Sequence, residues 1–235
     1  MLNKINNNQI LFIDIETVPQ SYSFESLSDK IKILWGKKAK YFIKDEEKPE
    51  DVWQRAGIFA EFGKIICISA GFMTNNKFRI KSFYGDDEKV ILTEFKKLVE
   101  KSFNSNNKYL CAHNGKEFDY PYIARRMLIN NISIPKILNI AGKKPWEVRH
   151  LDTLELWKFG DYKHYTSLEL LTEIFNIPTP KDDIDGSMVS EVYYQQNDIE
   201  RIVKYCEKDV VAVAQLYLRY KNQELLSSEN IISVS

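Results

Sequence analysis

Between Ile10 and Thr17 the chain reads Ile-Leu-Phe-Ile-Asp-Ile-Glu-Thr, an apolar run interrupted by two acids. Its β-branched and aromatic residues have the composition of a buried strand. Side chains alternate between the two faces of a strand, so Asp14 and Glu16 share one face. A carboxylate on a buried strand is costly unless it is paired or holds a metal. No basic residue lies among the immediate neighbours of either acid. The two therefore repel, and a divalent cation reverses that repulsion. The competing reading is a strand end that turns both acids to solvent. Asp-x-Glu also begins at Asp45, Asp86 and Asp198, but those copies open charged loops or helices. Only the Asp14 copy lies in an apolar run.

The rest of the composition bounds the problem without solving it. The 235 residues are 44% hydrophobic and 28% charged, which suits one soluble α/β domain. Lys+Arg and Asp+Glu are 33 each, so no global charge marks a nucleic-acid or membrane partner. Local cations and metals can still gather phosphate. Cys67, Cys111 and Cys206 stand singly, which offers neither a disulfide framework nor a zinc spacing. The polar first residues lack a signal-peptide core and no apolar run approaches 18 residues, so the expected compartment is a reducing cytoplasm, with no membrane.

Along the chain, a charged segment at about residues 21–63 reads as one or two helices inserted over the sheet. Lys64 to Met73 and Lys77 to Tyr84 read as strands, giving with the first an antiparallel meander. Glu88 to Phe103 has helical spacing, Lys108 to Ala112 reads as a strand, and Asp119 to Asn130 as a helix with Pro121 in its first turn. Leu151 to Trp157 fits strand or helix equally. Ser167 to Phe175 and Gly186 to Gln196 read as helices, and Asp198 to Lys221 as a long helix capped by Asp198. Residues from about 224 to 235 are expected to form a flexible tail. The pattern fits a single domain over 1–235, α/β in class.

Three further features join the first. His113-Asn-Gly-Lys-Glu-Phe-Asp119 runs from a strand end into a helix start, where Asp119 is either a ligand or a plain helix cap. Tyr205-Cys-Glu-Lys-Asp209 puts a phenol and a carboxylate one helical turn apart on one face. The same spacing begins at Tyr41 and Tyr194, so spacing alone decides nothing. Asp182-Asp-Ile-Asp-Gly-Ser187 is an acidic turn before the penultimate helix.

Taken in order, strand Asp-x-Glu, then Asn-x-x-x-Phe-Asp, then Tyr-x-x-x-Asp on a late helix resembles the DEDD 3′–5′ exonuclease superfamily. Lys204 stands where the His branch would carry its histidine, so the resemblance is to the Tyr branch, DEDDy. Closer still, the chain resembles stand-alone predicted polymerase-B-like 3′–5′ exonucleases from about Ile10 to Leu218. Glu61 to Ser69, Ser167 to Leu171 and Lys181 to Ser187 support the likeness. The resemblance implies a ribonuclease H-like fold: a mixed five- to six-stranded sheet with helices on both faces.

It also implies two divalent ions, Mg²⁺ or Mn²⁺, roughly 3.5–4 Å apart. Asp14 would bridge both, Glu16 and Asp209 would hold the nucleophile-side ion, Asp119 would hold the second, and Tyr205 would orient the attacking water. Thr17, Asn114 and Phe118 would meet the terminal nucleotide, though Phe118 fits a core position as well. Arg125, Arg126, Lys143 and Lys144 are phosphate contacts or simply a solvated face. Asp152 and Asp185 are further candidates for outer acids. The implied substrate is a single-stranded nucleic acid 3′ end, DNA favoured over RNA, and the product a nucleoside 5′-monophosphate. No polymerase segment accompanies the site, so repair, trimming or work beside a separate polymerase or repair protein is expected. An exoribonuclease and a non-catalytic nucleic-acid-binding module are the alternatives. A nucleotide hydrolase lacks support because no Gly-x-x-x-x-Gly-Lys-Ser/Thr loop is present.

Overall fold

The structure is a computed structural model that describes every residue except Met1, Asp45, Asn76, Tyr162, His164, 179–183 and Ser235, and the side chains of Asn3 and Pro145. Its frame is a mixed sheet. Strand β1 (Ile10–Pro19) pairs antiparallel with β2 (Gly63–Thr74), which pairs antiparallel with β3 (Lys77–Tyr84). On the other side β1 runs parallel to β4 (Tyr109–Ala112), and β4 runs parallel to β5 (Leu151–Asp152). A sixth strand, β6 (Ile231–Ser233), lies parallel to β3, so the order is β5-β4-β1-β2-β3-β6. β1 lies inside the sheet, so both of its edges are paired.

Alternation along β1 separates two cores. Leu11, Ile13 and Ile15 face helices α2 (Glu88–Ser102) and α3 (Asp119–Ile129), meeting Ile91, Phe95, Tyr120 and Ile123. Ile10 and Phe12 face the opposite way, against Val210, Val213, Ala214 and Tyr217 of a 22-residue helix, Ile199–Tyr220. That late helix presents Ile202, Cys206, Val210, Val213 and Tyr217 at spacings of three and four, an apolar stripe toward the sheet. Asp14 and Glu16 continue the Phe12 face, so the helix covers them too. Asp198 accepts from the Arg201 N–H at 3.1 Å and caps it.

Residues 21–63 hold one α-helix, α1 (Asp29–Ala39), and a 3₁₀ segment, Trp53–Ile58. Their core is aromatic: Trp35 stacks edge-on to Trp53 at 5.2 Å and to Phe62 at 5.3 Å. Both indole N–H groups are satisfied, by the Pro49 and Ser21 carbonyls. The irregular spacing of these residues hid the cluster. The stretch 151–158 is both of its alternatives, with β5 running directly into α4 (Thr153–Lys158). Helix α5 (Leu168–Ile174) follows, and the stretch read as helix from Gly186 is a short α6 (Val189–Glu191) passing into a π-turn, Val192–Gln196. The late helix is α7.

The final residues, expected to form a flexible tail, instead extend the sheet. The Val234 N–H donates to the Ile80 carbonyl at 2.7 Å, and Gln215 bonds both backbone groups of Leu226. No sequence signal marked this because Ile-Ile-Ser is short and its pairing partner, the exposed edge of β3, is distant in the chain.

One buried ion pair locks α2, α3 and the loop before β2. Arg126 Nε donates to Glu88 Oε1 at 2.8 Å, its NH1 donates to the Ala60 carbonyl, and Glu88 Oε1 also accepts the Ile65 N–H at 2.7 Å. Arg126→Met strands the Glu88 carboxylate in the core and is expected to cost about 3–5 kcal/mol. Adding Glu88→Leu should return much of that loss, as read by urea unfolding of both variants.

Candidate metal and catalytic site

The acids singled out in the sequence converge where α7 crosses the end of β1. Opposite Glu16 the β1–β2 register shifts: Glu16 pairs with Cys67 and Thr17 with Ile65, leaving Ile66 as the extra residue. A bulge of this kind bends the strand and re-aims its side chains. Cys206 of α7 points its thiol at Asp14, 3.3 Å from Oδ2 and 3.5 Å from the backbone carbonyl. Ligand atoms of Asp14, Glu16 and Cys206 all lie within 4.8 Å of one another. Burial pushes the Cys206 thiol well above its ordinary range, so it remains an S–H donor to Asp14.

The carboxylates share one electrostatic field. Asp14 is raised well above the usual range, by burial first and then by Glu16, Asp209 and Asp119. Glu16 is raised in the same way, by burial and then by Asp209, Cys67 and Asp119. Asp119 is pushed up to about 8, chiefly by burial, with Asp152 and Asp209 adding; backbone N–H groups of Asp119 and Ile15 act in the other direction. Asp119 is only 3% exposed, and its Oδ1 has no hydrogen-bond partner. A buried acceptor left without a partner costs about 1–3 kcal/mol, more when charged. Among the described residues no Lys or Arg is ion-paired to Asp14, Glu16 or Asp119. An oxygen-rich, anionic and under-bonded set of this kind fits divalent cations.

Tyr205, one turn before Asp209 on α7, hydrogen-bonds the Asp209 carboxylate. Burial, then Asp209, Glu16 and Asp14, push its phenol far above the ordinary range, so it stays protonated. Tyr-x-x-x-Asp thus acts as a unit on the cluster-facing side of the helix.

The turn from β4 into α3 sets Asp119. Asn114 adopts φ 62°, a left-handed conformation that Asn tolerates, and its carbonyl accepts the N–H groups of Glu117 and Phe118. At Gly115 a Cβ would come within 2.4 Å of the Ala112 side chain, so only glycine fits. Asp152, weighed above as an outer acid, spends its oxygens on backbone: Asn114 N and Lys116 N, both at 3.0 Å, and the first N–H groups of α4. It ties the turn to the neighbouring strand, and its charge raises Asp119. His113 adds a second tie, to Thr153 and to the Thr166 carbonyl, each at 2.9 Å. His113, Asp152 and Cys206 were not singled out for these roles from the residues alone. Their signals were present but local: an Asp immediately before a helix start, and a thiol inside the Tyr-to-Asp turn.

The nominated substrate contacts divide. Arg126 is corrected: it is buried, 5% exposed, and committed to Glu88, because its position on α3 faces the core rather than the solvent. Arg125, its neighbour, is exposed, as are Lys143 and Lys144; Lys144 lies over the Trp146 ring at 5.1 Å. Thr17 is half-buried and hydrogen-bonds Tyr122. Phe118 is half-buried, packed against Tyr122 with ring centroids 5.3 Å apart. Asp185 is exposed and bonded to Ser187, while Lys181, Asp182 and Asp183 of the acidic turn lie outside the described residues.

The raised carboxylates set a pH dependence for the metal-free protein. Asp119 holds a proton up to about pH 8 when folded, whereas an unfolded Asp releases it near ~3.9. Between those values the native state binds more protons, so stability falls as pH rises. In EDTA the melting temperature should therefore drop from pH 6 to pH 9. Asp14→Asn should flatten the slope and raise stability near pH 8 by about 1–2 kcal/mol, about 2–8 °C in Tm for a chain of this size. Thermal unfolding across that pH range checks both.

Comparison with known proteins places these observations in a lineage. The sequence pattern of a family described as "Predicted 3'-5' exonuclease related to the exonuclease domain of PolB" matches residues 58–231. Among solved structures, the chain is similar to the family B DNA polymerase from the hyperthermophilic archaeon Pyrobaculum calidifontis. The TM-score is 0.55 at 16% identity, over 90% of this chain and 24% of that one. The likeness is one of fold, which is ribonuclease H-like, and the chain spans about a quarter of that polymerase's length. No helix among the described residues is long and apolar enough to cross a membrane.

Proposed function

The chain belongs to the predicted 3′–5′ exonucleases related to the exonuclease domain of PolB, and from that premise we propose that it removes nucleoside 5′-monophosphates from single-stranded DNA 3′ ends. The observation that carries this reading is the convergence of Asp14, Glu16, Asp119 and Asp209 in one field with Tyr205 beside it. A stability-driven core would not gather carboxylates of one sign from β1, α3 and α7.

Asp14, Glu16, Asp119 and Asp209 would hold two divalent ions, Mg²⁺ or Mn²⁺. When bound, the ions would polarise the scissile phosphate and make an attacking hydroxide available near neutral pH. Asp14, central in β1 and bonded to the Cys206 thiol, would serve both. Asp119, set by the Asn114 turn and braced by Asp152, offers its free Oδ1. Tyr205 remains a phenol and so positions the attacking water by hydrogen bonding rather than taking its proton. Asn114, Phe118 and Thr17 line the approach for the terminal nucleotide, and Arg125, Lys143 and Lys144 would meet phosphates further along the strand. A separate polymerase or repair protein would be its working partner in the cytoplasm.

The test is digestion of a 5′-labelled single-stranded DNA, with matched RNA alongside. A ladder shortening from the 3′ end in Mg²⁺ or Mn²⁺ and abolished by EDTA is the expected outcome. Asp14→Asn should lower the single-turnover rate by at least about a thousandfold and Tyr205→Phe by about a hundredfold. Binding without cleavage in either metal would leave a non-catalytic module, and faster cleavage of RNA would reassign the substrate.

A further inference from the structure

An aromatic ring that the catalytic reading leaves unused stands beside His113, at the start of the turn that leads to Asp119. Tyr165, in the loop before α5, is 62% exposed. Lone exposed aromatics are ordinary, so exposure alone carries no meaning. What distinguishes Tyr165 is how it is held and what it faces. Its ring lies edge-on to His113, with centroids 6.0 Å apart and planes at 74°. His113 is itself fixed at both nitrogens. The Thr166 carbonyl accepts only, so Nε2–H donates to it at 2.9 Å, and Nδ1 then accepts from the Thr153 hydroxyl at 2.9 Å. Burial lowers the imidazole pKa and keeps this neutral form. The backbone next to Tyr165 is therefore pinned to the same turn that carries Asn114 and leads to Asp119.

The phenol feels, in decreasing order after burial, Asp152, Asp119, Asp209 and Asp14, all of which raise its pKa. Tyr205 feels Asp209, Glu16 and Asp14. Tyr165 is thus held beside His113, at the start of the turn that leads to Asp119, while Tyr205 bonds Asp209 on α7.

Such an enzyme faces a recognition problem that these observations address. It must grip successive nucleotides of any sequence, and hydrogen-bond readout of base edges would make it selective. Stacking on an aromatic face serves every base, because each has a π-face. The carboxylates beside the scissile phosphate are anionic, so part of the grip must come from uncharged contact. We propose that Tyr165 is a substrate-positioning residue whose ring stacks on a base at the 3′ end of the strand entering the carboxylate cluster. This role rests on the exonuclease reading above and adds to it the contact that holds the strand without reading its sequence. The ring and not the hydroxyl is the working part.

Two measurements on full-length protein separate this role from a structural one and from the parent reading. In steady-state digestion of single-stranded DNA, Tyr165→Ala should raise KM on the order of tenfold with kcat changed less than about twofold. Tyr165→Phe should return KM to near the wild-type value. In Ca²⁺, a strand ending in 2-aminopurine should lose fluorescence on binding wild type and Tyr165→Phe, and lose much less on binding Tyr165→Ala. An active wild type with the same KM and the same quench in Tyr165→Ala would overturn the stacking role and leave the exonuclease reading standing. Tyr165-dependent quenching without cleavage would support the grip and overturn the catalytic reading. Neither binding nor cleavage by wild type would overturn both. A fall in kcat shared by the Ala and Phe variants, with KM unmoved, would also overturn the stacking role.

Discussion

Carboxylates of one sign gathered at one end of the central strand are the constraint on which the rest of this structure depends. Asp14 and Glu16 lie on a central strand, Asp119 begins a helix, and Asp209 sits midway along another. Burial and mutual repulsion raise the affinity of Asp14, Glu16 and Asp119 for protons. Left to itself, a fold would exchange such a cluster for apolar residues of the same size and gain stability. Its presence signals that the neutralising charge comes from outside the chain.

The scaffold answers that constraint with short-range devices. Two strong apolar faces on β1 anchor the strand through α2, α3 and α7, so the acids at its end need not contribute to folding. A register shift lies opposite Glu16, with Ile66 of β2 as the extra residue. Cys206 offers Asp14 a weak donor without a charge. The β4–α3 turn is tied to the β5–α4 segment by Asp152, which accepts the Asn114 and Lys116 N–H groups, and by its own His113, bonded to Thr153. Each device positions a carboxylate or a turn without a basic side chain, and Asp119 Oδ1 keeps no hydrogen-bond partner. The ion pair of Glu88 and Arg126 does the opposite work on the far face, where every charge is matched and stability is the product.

Much of this was legible in the chain itself. A buried strand announces its composition, and two acids two residues apart must share its face. The long apolar stripe of α7 likewise announced a helix against the sheet, with Tyr205 and Asp209 a turn apart. What was not legible depends on contacts distant in sequence. Arg126 and Arg125 are adjacent and chemically identical, and only the packing of α3 shows that the first is buried and the second exposed. The aromatic cluster of Trp35, Trp53 and Phe62 has no period, because it is assembled from a helix, a 3₁₀ segment and a loop. The β6 strand is three residues whose pairing is decided by a free edge 150 residues earlier (Ile80 accepts from Val234). Tyr165 lies in a loop with no motif, and its place beside the β4–α3 turn comes from its packing on His113.

The central claim is that the four acids form a site for two divalent ions, and diffraction from crystals soaked in Mn²⁺ tests it most directly. Anomalous peaks bounded by Asp14, Glu16, Asp119 and Asp209, absent from an Asp14→Asn crystal soaked alike, are the predicted result. Crystals that take up Mn²⁺ elsewhere while these carboxylates remain protonated and metal-free would contradict it.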